Sequence, residues 1–317
     1  MINKNNNLFK VLFFSFFLIS YSNISIANEN PQEFNKWLVN FKNTAFKKGI
    51  SKETITLTFE NVRYLPNVIK YDRKQPEFFE DTLTYISKRA TQKRINFAQK
   101  IFKKNKALFN EIENNFNVEK EILLSLWAIE TNFGRHVGKM DIISSLATLS
   151  YDKRRSEFFT SELVTLLKLI DRKIVDYDTL YGSWAGAFGN FQFMPSTIKN
   201  YAIDHNNDEK INLKETEDSF ASAANYLNNL GWSNNEPCFF NIKLKKNIPD
   251  KYLNISAKKI HSMNKIKYLK NYIHDSNFLS KFDNLSAAII TPDAEIVENP
   301  NKLKPAYIIF NNYKFIL

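Results

Sequence analysis

The chain is poor in glycine and almost devoid of cysteine. It carries 7 glycines in 317 residues, about 2%, against a usual ~7%. Cys238 is the single cysteine, so no internal disulfide can form, even in an oxidising compartment. The fold must be held by core packing, and Cys238 reads as a small buried residue. Zinc-ligand spacing, a helix-turn-helix signature and an aromatic RNA-binding box are all missing. So is any block of five or more like charges. These absences argue against nucleic acid as a partner.

What is present looks globular. The hydrophobic fraction is 44%, the charged fraction 24% and the formal charge +11. The length is enough for a sizeable core and two or three domains. Lysines are spread widely and mixed with acids. They fit either an acidic partner surface or an ordinary solvated basic surface. The N-terminus, "MINKNNNLFKVLFFSFFLISYSNISIANEN", places Lys4 and Lys10 before an apolar run from Val11 to Ile19, then Ser25 and Ala27 at small-residue positions. This predicts a secretory signal peptide over 1–27, cleaved after Ala27. The first 27 residues hold two lysines and no acid, so the mature chain would be +9. The run is short for a spanning helix, and no cysteine follows the cut to take a lipid.

Beyond the signal, Phe34, Trp37, Leu38, Phe41 and Ala45 recur at helical spacing. Gly49 should stop that helix and Ser51 cap the next. Residues 80–105, 118–133, 156–170 and 216–230 also read as helices. From Cys238 onward, strand-like runs such as "AAIIT" and "AYIIF" alternate with lysine-rich turns. The predicted organisation is mainly α: a helical N-terminal region over 28–110, a helical core over 111–232, and a mixed C-terminal region over 233–317.

One acid is out of place. In "VEKEILLSLWAIETNFG", Glu130 shares a helical face with Leu123, Leu126, Trp127 and Phe133. It is either a structural carboxylate, held by an arginine or at a frayed helix end, or a general acid. A carboxyl in apolar surroundings has its charged form destabilised, so it can stay protonated near neutral pH. Glycoside cleavage uses such a group.

The glycines are clustered too. Gly182, Gly186 and Gly189 fall within "GSWAGAFGNFQFMPST", residues 182–197. By composition alone the cluster is unexplained; glycine allows backbone to pass where any Cβ would collide. Pro195 then opens a helix, with Ser196 or Thr197 near its cap.

Together, "LWAIETNFGRHVGKMDIISSLATLSYD", the glycine segment and "INLKETEDSFASAANYLNNLGW" resemble the lytic murein transglycosylases of the membrane-bound B type. Weaker similarity runs upstream through "PEFFEDTLTYISKRATQKRI". The resemblance implies a lysozyme-like catalytic core with a helical N-terminal extension and a small β-containing C-terminal part. It implies a periplasmic monomer that cuts peptidoglycan glycan strands without a required cofactor, with cell-wall synthesis proteins as candidate partners. Glu130 matches the catalytic acid, which would protonate the glycosidic oxygen between N-acetylmuramic acid and N-acetylglucosamine. It would then deprotonate the muramoyl C6 hydroxyl, giving a 1,6-anhydro product. Ser183 and Gln192 match substrate-contacting positions, and Tyr85, Tyr226 and Arg155 match groove positions. Core aromatics and a surface charge are the plainer readings of those last three. Asp141, Asp152 and Glu157 lie near Glu130 in sequence, but none matches a catalytic position. A water-using muramidase and a non-catalytic wall-binding protein are the alternatives.

Two features stand apart. "DHNNDEKINLKE", 204–215, has an EF-hand rhythm, with Asp204, Asn206, Asp208, Lys210 and Glu215 at ligand positions for a structural Ca²⁺. Glu209 stands where glycine normally turns, so a polar turn without metal is the other reading. The sequence "PAYIIFNNYKFIL" stops short of a Tyr-Asn stretch and last helix found in the resembled family, so either another loop replaces those contacts or the groove is more open.

Overall fold

The apolar stripe Phe34, Leu38, Phe41 and Ala45 builds the first helix of the computed structural model, α1 (Pro31–Lys47), and all four side chains are buried. The structure describes residues 31–74, 80–234, 236–293 and 303–316. The expected signal peptide lies outside them. Gly49, at φ +87°, ends the first turnout of chain. Ser51 Oγ then accepts from Thr54 N at 3.1 Å and caps α2 (Lys52–Phe59). α3 (Pro66–Arg73) opens on its proline. The helix expected over 80–105 is two helices, α4 (Thr82–Arg89) and α5 (Gln92–Lys104). Thr91 breaks it: in extended conformation, its hydroxyl accepts from Arg94 N and starts a new N-terminus. There follow α6 (Lys106–Phe116), α7 (Lys120–Thr131), β1 (Met140–Asp141), α8 (Ile142–Tyr151), α9 (Ser156–Asp171), β2 (Tyr181–Gly182), α10 (Pro195–Tyr201) and α11 (Thr216–Leu230).

The centre of this helical unit is α8, buried at every residue from Ile142 to Ser150. Its hydroxyls are not idle in that core. Ser144 Oγ accepts from Arg63 N at 3.1 Å and Thr148 Oγ1 from Leu65 N at 3.0 Å. They satisfy the backbone that leads into α3. α1 and α3 pack on α8, and α2 packs on α9. Residues 31–74 and 86–234 therefore form one compact unit. The division expected near residue 110 is not a division between compact units, because the N-terminal helices complete their apolar stripes only against α8 and α9.

Residues 80–85, 236–293 and 303–316 belong to a second compact unit. It contains β3 (Phe239–Ile242), β4 (Leu253–Asn254), β5 (Asn264–Lys265), the short α12 (Ile266–Leu269), β6 (Ser286–Ile290) and β7 (Ala306–Phe310). β7 lies between β3 and β6, antiparallel to both, with Ala288 opposite Ile309. β4 runs parallel and β5 antiparallel to β6. All five residues of β7 are buried because both faces are covered. Ile308 and Phe310 pack with Ile266, Leu269 and Leu279, while Tyr307 and Ile309 pack with Ala288 and Ile290. Cys238 is buried. Among the described residues no helix is long and apolar enough to cross a membrane.

Candidate active site

Glu130 occupies the last turn of α7, below the buried Leu123 and Trp127 and the half-buried Leu126. It is half-buried itself. Burial pushes its carboxyl pKa above the ordinary range. Among the described residues no arginine, lysine or hydrogen-bond donor engages it. The structural reading, a carboxylate held by an arginine, is therefore not what the helix presents.

The way α7 ends fixes this group. Asn132, Phe133 and Gly134 are three successive left-handed residues, at φ 50°, 61° and 77°. A bulky aromatic in that region is strained. It is held there because Phe133 packs edge-on against Trp127 and Phe97, at centroid distances of 5.7 and 4.9 Å. Thr131, fully buried, donates from Oγ1 to Asn190 O at 2.9 Å and accepts from Gly134 N at 3.1 Å.

Asn190 belongs to the glycine segment, which is thereby placed against the end of the Glu130 helix. Gln192 adds a second tie, donating from Nε2 to Val137 O at 3.1 Å and Gly189 O at 3.0 Å. The strand pair β1–β2 adds a third, with Met140 opposite Gly182. The two backbones approach so closely that a Cβ on Gly138 would lie 2.0 Å from Gly182 O and 2.7 Å from Ser183 N. Ser183 is half-buried. Its N donates to Ala187 O at 2.8 Å and its Oγ accepts from Ala187 N at 3.0 Å. Among the described residues the hydroxyl donates to no partner. The clustered glycines themselves approach protein rather than sugar. Cβ atoms on Gly182, Gly186 and Gly189 would meet Ala187 O, Leu146 and Leu213 at 2.3, 2.4 and 2.5 Å. Gly134, outside the cluster, is the one beside α7, where a Cβ would lie 2.9 Å from Asn190 Oδ1 and 3.5 Å from Trp127. α10 does begin at Pro195, but neither Ser196 nor Thr197 caps it. Glu162 of α9, 4% exposed, reaches across to accept from Ser196 N at 2.8 Å.

The three expected groove residues differ in their surroundings. Arg155 pairs with the buried Asp72, which Arg154 also contacts at 3.1 Å, and lies over the Phe159 ring at 4.9 Å. The guanidinium is thus held by a buried carboxylate while the residue stays half-buried. Tyr226 is 2% exposed, packed between Phe193 and Tyr201, and burial pushes its hydroxyl up to about 12. Its ring is core and does not line an open surface. Tyr85 is 39% exposed on the part of α4 that belongs to the second unit, where Thr82 N donates to Asp293 at 3.0 Å.

Of the neighbouring acids, two are occupied. Asp141 caps α8 through Ser144 N at 2.6 Å, and Asp152 pairs with Arg73 at 2.7 Å. Glu157 is exposed in the first turn of α9. In the 204–215 loop, Asp204 accepts from Asp208 N and Glu209 N at 3.2 and 2.8 Å, and Asn206 Oδ1 from Asp208 N at 3.1 Å. Glu209 adopts φ 68°, making the left-handed turn without glycine. Glu215 is held by Asn212 Nδ2 at 2.8 Å. Among the described residues no group of three or more His, Cys, Asp or Glu is placed to hold a metal. The side-chain oxygens of Asp204, Asn206 and Asp208 are brought together by these turn hydrogen bonds.

The sequence reading missed Thr131, Asn190 and Glu162. Thr131 lies inside "ETNFG" and Asn190 inside the glycine segment, so both were in view as motif letters. Glu162 gave no local signal.

The transglycosylase SLT domain matches residues 33–317. Membrane-bound lytic murein transglycosylase B of Escherichia coli K12 is 32% identical over 215 residues, covering 65% of this chain and 58% of the relative. The chain thus spans somewhat over half the length of that protein. SltB3 from Pseudomonas aeruginosa, solved in complex with NAG-NAM-pentapeptide, superposes with a TM-score of 0.81 at 28% identity, over 90% of this chain and 74% of that one. A lytic transglycosylase of E. coli solved in complex with calcium gives 0.66 at 25% identity, over 90% and 86%. The mainly helical fold is that of these lysozyme-like proteins.

Proposed function

The chain belongs to the transglycosylase SLT domain family, and from that premise we propose that it is a peptidoglycan lytic transglycosylase with Glu130 as its acid and base. The observation that carries this is a half-buried carboxyl, raised in pKa by burial and engaged by no cation among the described residues. In that state Glu130 holds a proton at a pH where ordinary glutamates have lost it. It gives the proton to the oxygen between N-acetylmuramic acid and N-acetylglucosamine as that bond breaks. The substrate's N-acetyl group stabilises the positive charge at C1. Glu130, now a carboxylate, takes the proton of the muramoyl C6 hydroxyl. The C6 oxygen closes on C1, and the product ends in a 1,6-anhydro sugar.

One carboxyl suffices because the nucleophile, the C6 hydroxyl, comes from the substrate. A two-carboxylate mechanism needs a second acid at a set separation; Asp141 and Asp152 are bound to other partners, and Glu157 is an exposed acid in the first turn of α9. Glu162 also has a raised pKa through burial, but it is tied to Ser196. Ser183 offers a hydroxyl proton, and Gln192 a carbonyl oxygen that accepts nothing from the described residues. Both suit the N-acetyl and hydroxyl groups of a sugar. Export by the 1–27 signal places the reaction in the periplasm. The 204–215 loop would be structural, with any Ca²⁺ held weakly by Asp204, Asn206 and Asp208.

Digestion of purified sacculi, read by mass spectrometry, tests this. Wild type should release anhydro-ended muropeptides and Glu130→Gln none. Clearing by Glu130→Gln at the wild-type rate would overturn the assignment.

A further inference from the structure

Taking Glu130 as the reacting carboxyl, we propose that Asn190 is its positioning residue, clamping the end of the Glu130 helix to the segment 213–219. Asn190 is 3% exposed, and both its backbone and its amide are used. Its N donates to Leu213 O at 2.7 Å, and its O accepts from Thr131 Oγ1 at 2.9 Å. Nδ2 donates to Lys214 O at 3.1 Å and Ser219 Oγ at 3.0 Å, and lies 3.4 Å from Glu215 O. Oδ1 is the atom a Cβ on Gly134 would meet, at 2.9 Å. One residue thus touches the end of α7 through its backbone O, and the exit of the 204–215 loop and the first turn of α11 through its side chain.

The residue type matters. Every group facing Nδ2 is an acceptor at the contact, so an amide fits and a carboxylate does not. Aspartate has the same shape, but would set a charge against the Lys214 and Glu215 carbonyls. The contact also acts on the residue next to Glu130. Thr131 is the last residue of α7, and the left-handed Asn132, Phe133 and Gly134 follow it. Strain of that kind persists only where surrounding contacts over-determine it. On the other side of α7, Arg94 donates to Ala128 O. Releasing the Asn190 side lets the last turn relax and lets water reach Glu130.

The test compares wild type with Asn190→Asp, Ser219→Ala and Glu130→Gln on isolated glycan strands, measuring kcat, KM, the pH profile and Tm. Asn190→Asp should lower kcat by about 10–100-fold with KM within about twofold, the pattern of a misplaced reacting group. Water at Glu130 lowers its pKa, so the basic limb of the profile should move to lower pH. A purely structural role would lower Tm and leave that limb where it was, and this result would overturn the proposal. If Asn190→Asp does not fold, Ser219→Ala decides: it removes one acceptor and should move the limb in the same direction by less. An unmoved limb in Ser219→Ala then overturns the proposal. Glu130→Gln separates the two claims, since activity in that variant defeats the reading of Glu130 itself.

Discussion

Gly138 and Gly49 provide a matched pair for asking whether the approach of the glycine segment to the Glu130 helix is needed for turnover. Both have φ +87°, so alanine meets the same left-handed strain at each, about 1–2 kcal/mol. Their surroundings differ completely. A Cβ on Gly49 meets nothing within 4 Å, whereas on Gly138 it lies 2.0 Å from Gly182 O. Relief to an ordinary contact of 3.4 Å requires the backbones to part by about 1.4 Å. The atoms displaced are the Gly182 carbonyl and Ser183 N, both backbone, so no side chain can swing away. Overpacking of this kind adds about 1–3 kcal/mol. Gly49→Ala should therefore cost ~1–2 kcal/mol with turnover unchanged. Gly138→Ala should cost ~2–5 kcal/mol. It should also lose about 100-fold in kcat, because Ser183 is carried about 1 Å or more from its place. Chemical denaturation and muropeptide release from sacculi read the two quantities. Equal stability and equal turnover in the two variants would refute the reasoning.

Other expectations follow from individual side chains. Glu130 binds its proton more tightly folded than unfolded, so it costs stability once pH rises above the unfolded value of about 4.3. The loss is complete above the folded pKa, so Glu130→Gln should be the more stable protein at neutral pH, with the advantage vanishing near pH 4; equal melting temperatures at neutral pH would contradict this. Arg155→Ala strips a partner from the buried Asp72, leaving Arg154. It should lower stability by about 1–3 kcal/mol with KM for sacculi unchanged, and a raised KM at wild-type stability would restore the groove role. Millimolar Ca²⁺ should raise Tm slightly in wild type and not in Asp204→Ala, in keeping with a weak site of ~10⁻³ M class, while EDTA leaves turnover within about twofold. Differential scanning fluorimetry separates these cases.

Much of this fold could be read from periodicity. The α1 stripe, the Gly49 stop and the Ser51 cap are local signals, and each appears as expected. The break at Thr91 was legible in principle, since threonine after alanine offers a cap, but the continuous apolar rhythm of 80–105 outweighed it. The buried α8 gave little amphipathic contrast, because it is apolar or small on all sides. Glu130 stood out because an acid on an apolar stripe is rare. Its supports did not. Thr131 and Asn190 are ordinary polar letters until their burial is known, and the contact joins residues 59 apart in sequence. Arg155 and Tyr226 show what motif position leaves out: Asp72 pairs with the half-buried Arg155, and the ring cluster around Phe193 buries Tyr226. Glu162 was hidden for the same physical reason: its partner, Ser196 N, is a backbone group that a sequence does not display.

The most direct test of a single carboxyl acting with the substrate's own hydroxyl is digestion of sacculi in water enriched in heavy oxygen. Transfer to C6 consumes no water, so released muropeptides should carry anhydro ends and no heavy label at the muramoyl C1. Labelled reducing ends in proportion to the bonds cut would show that water is the acceptor, and would contradict the account.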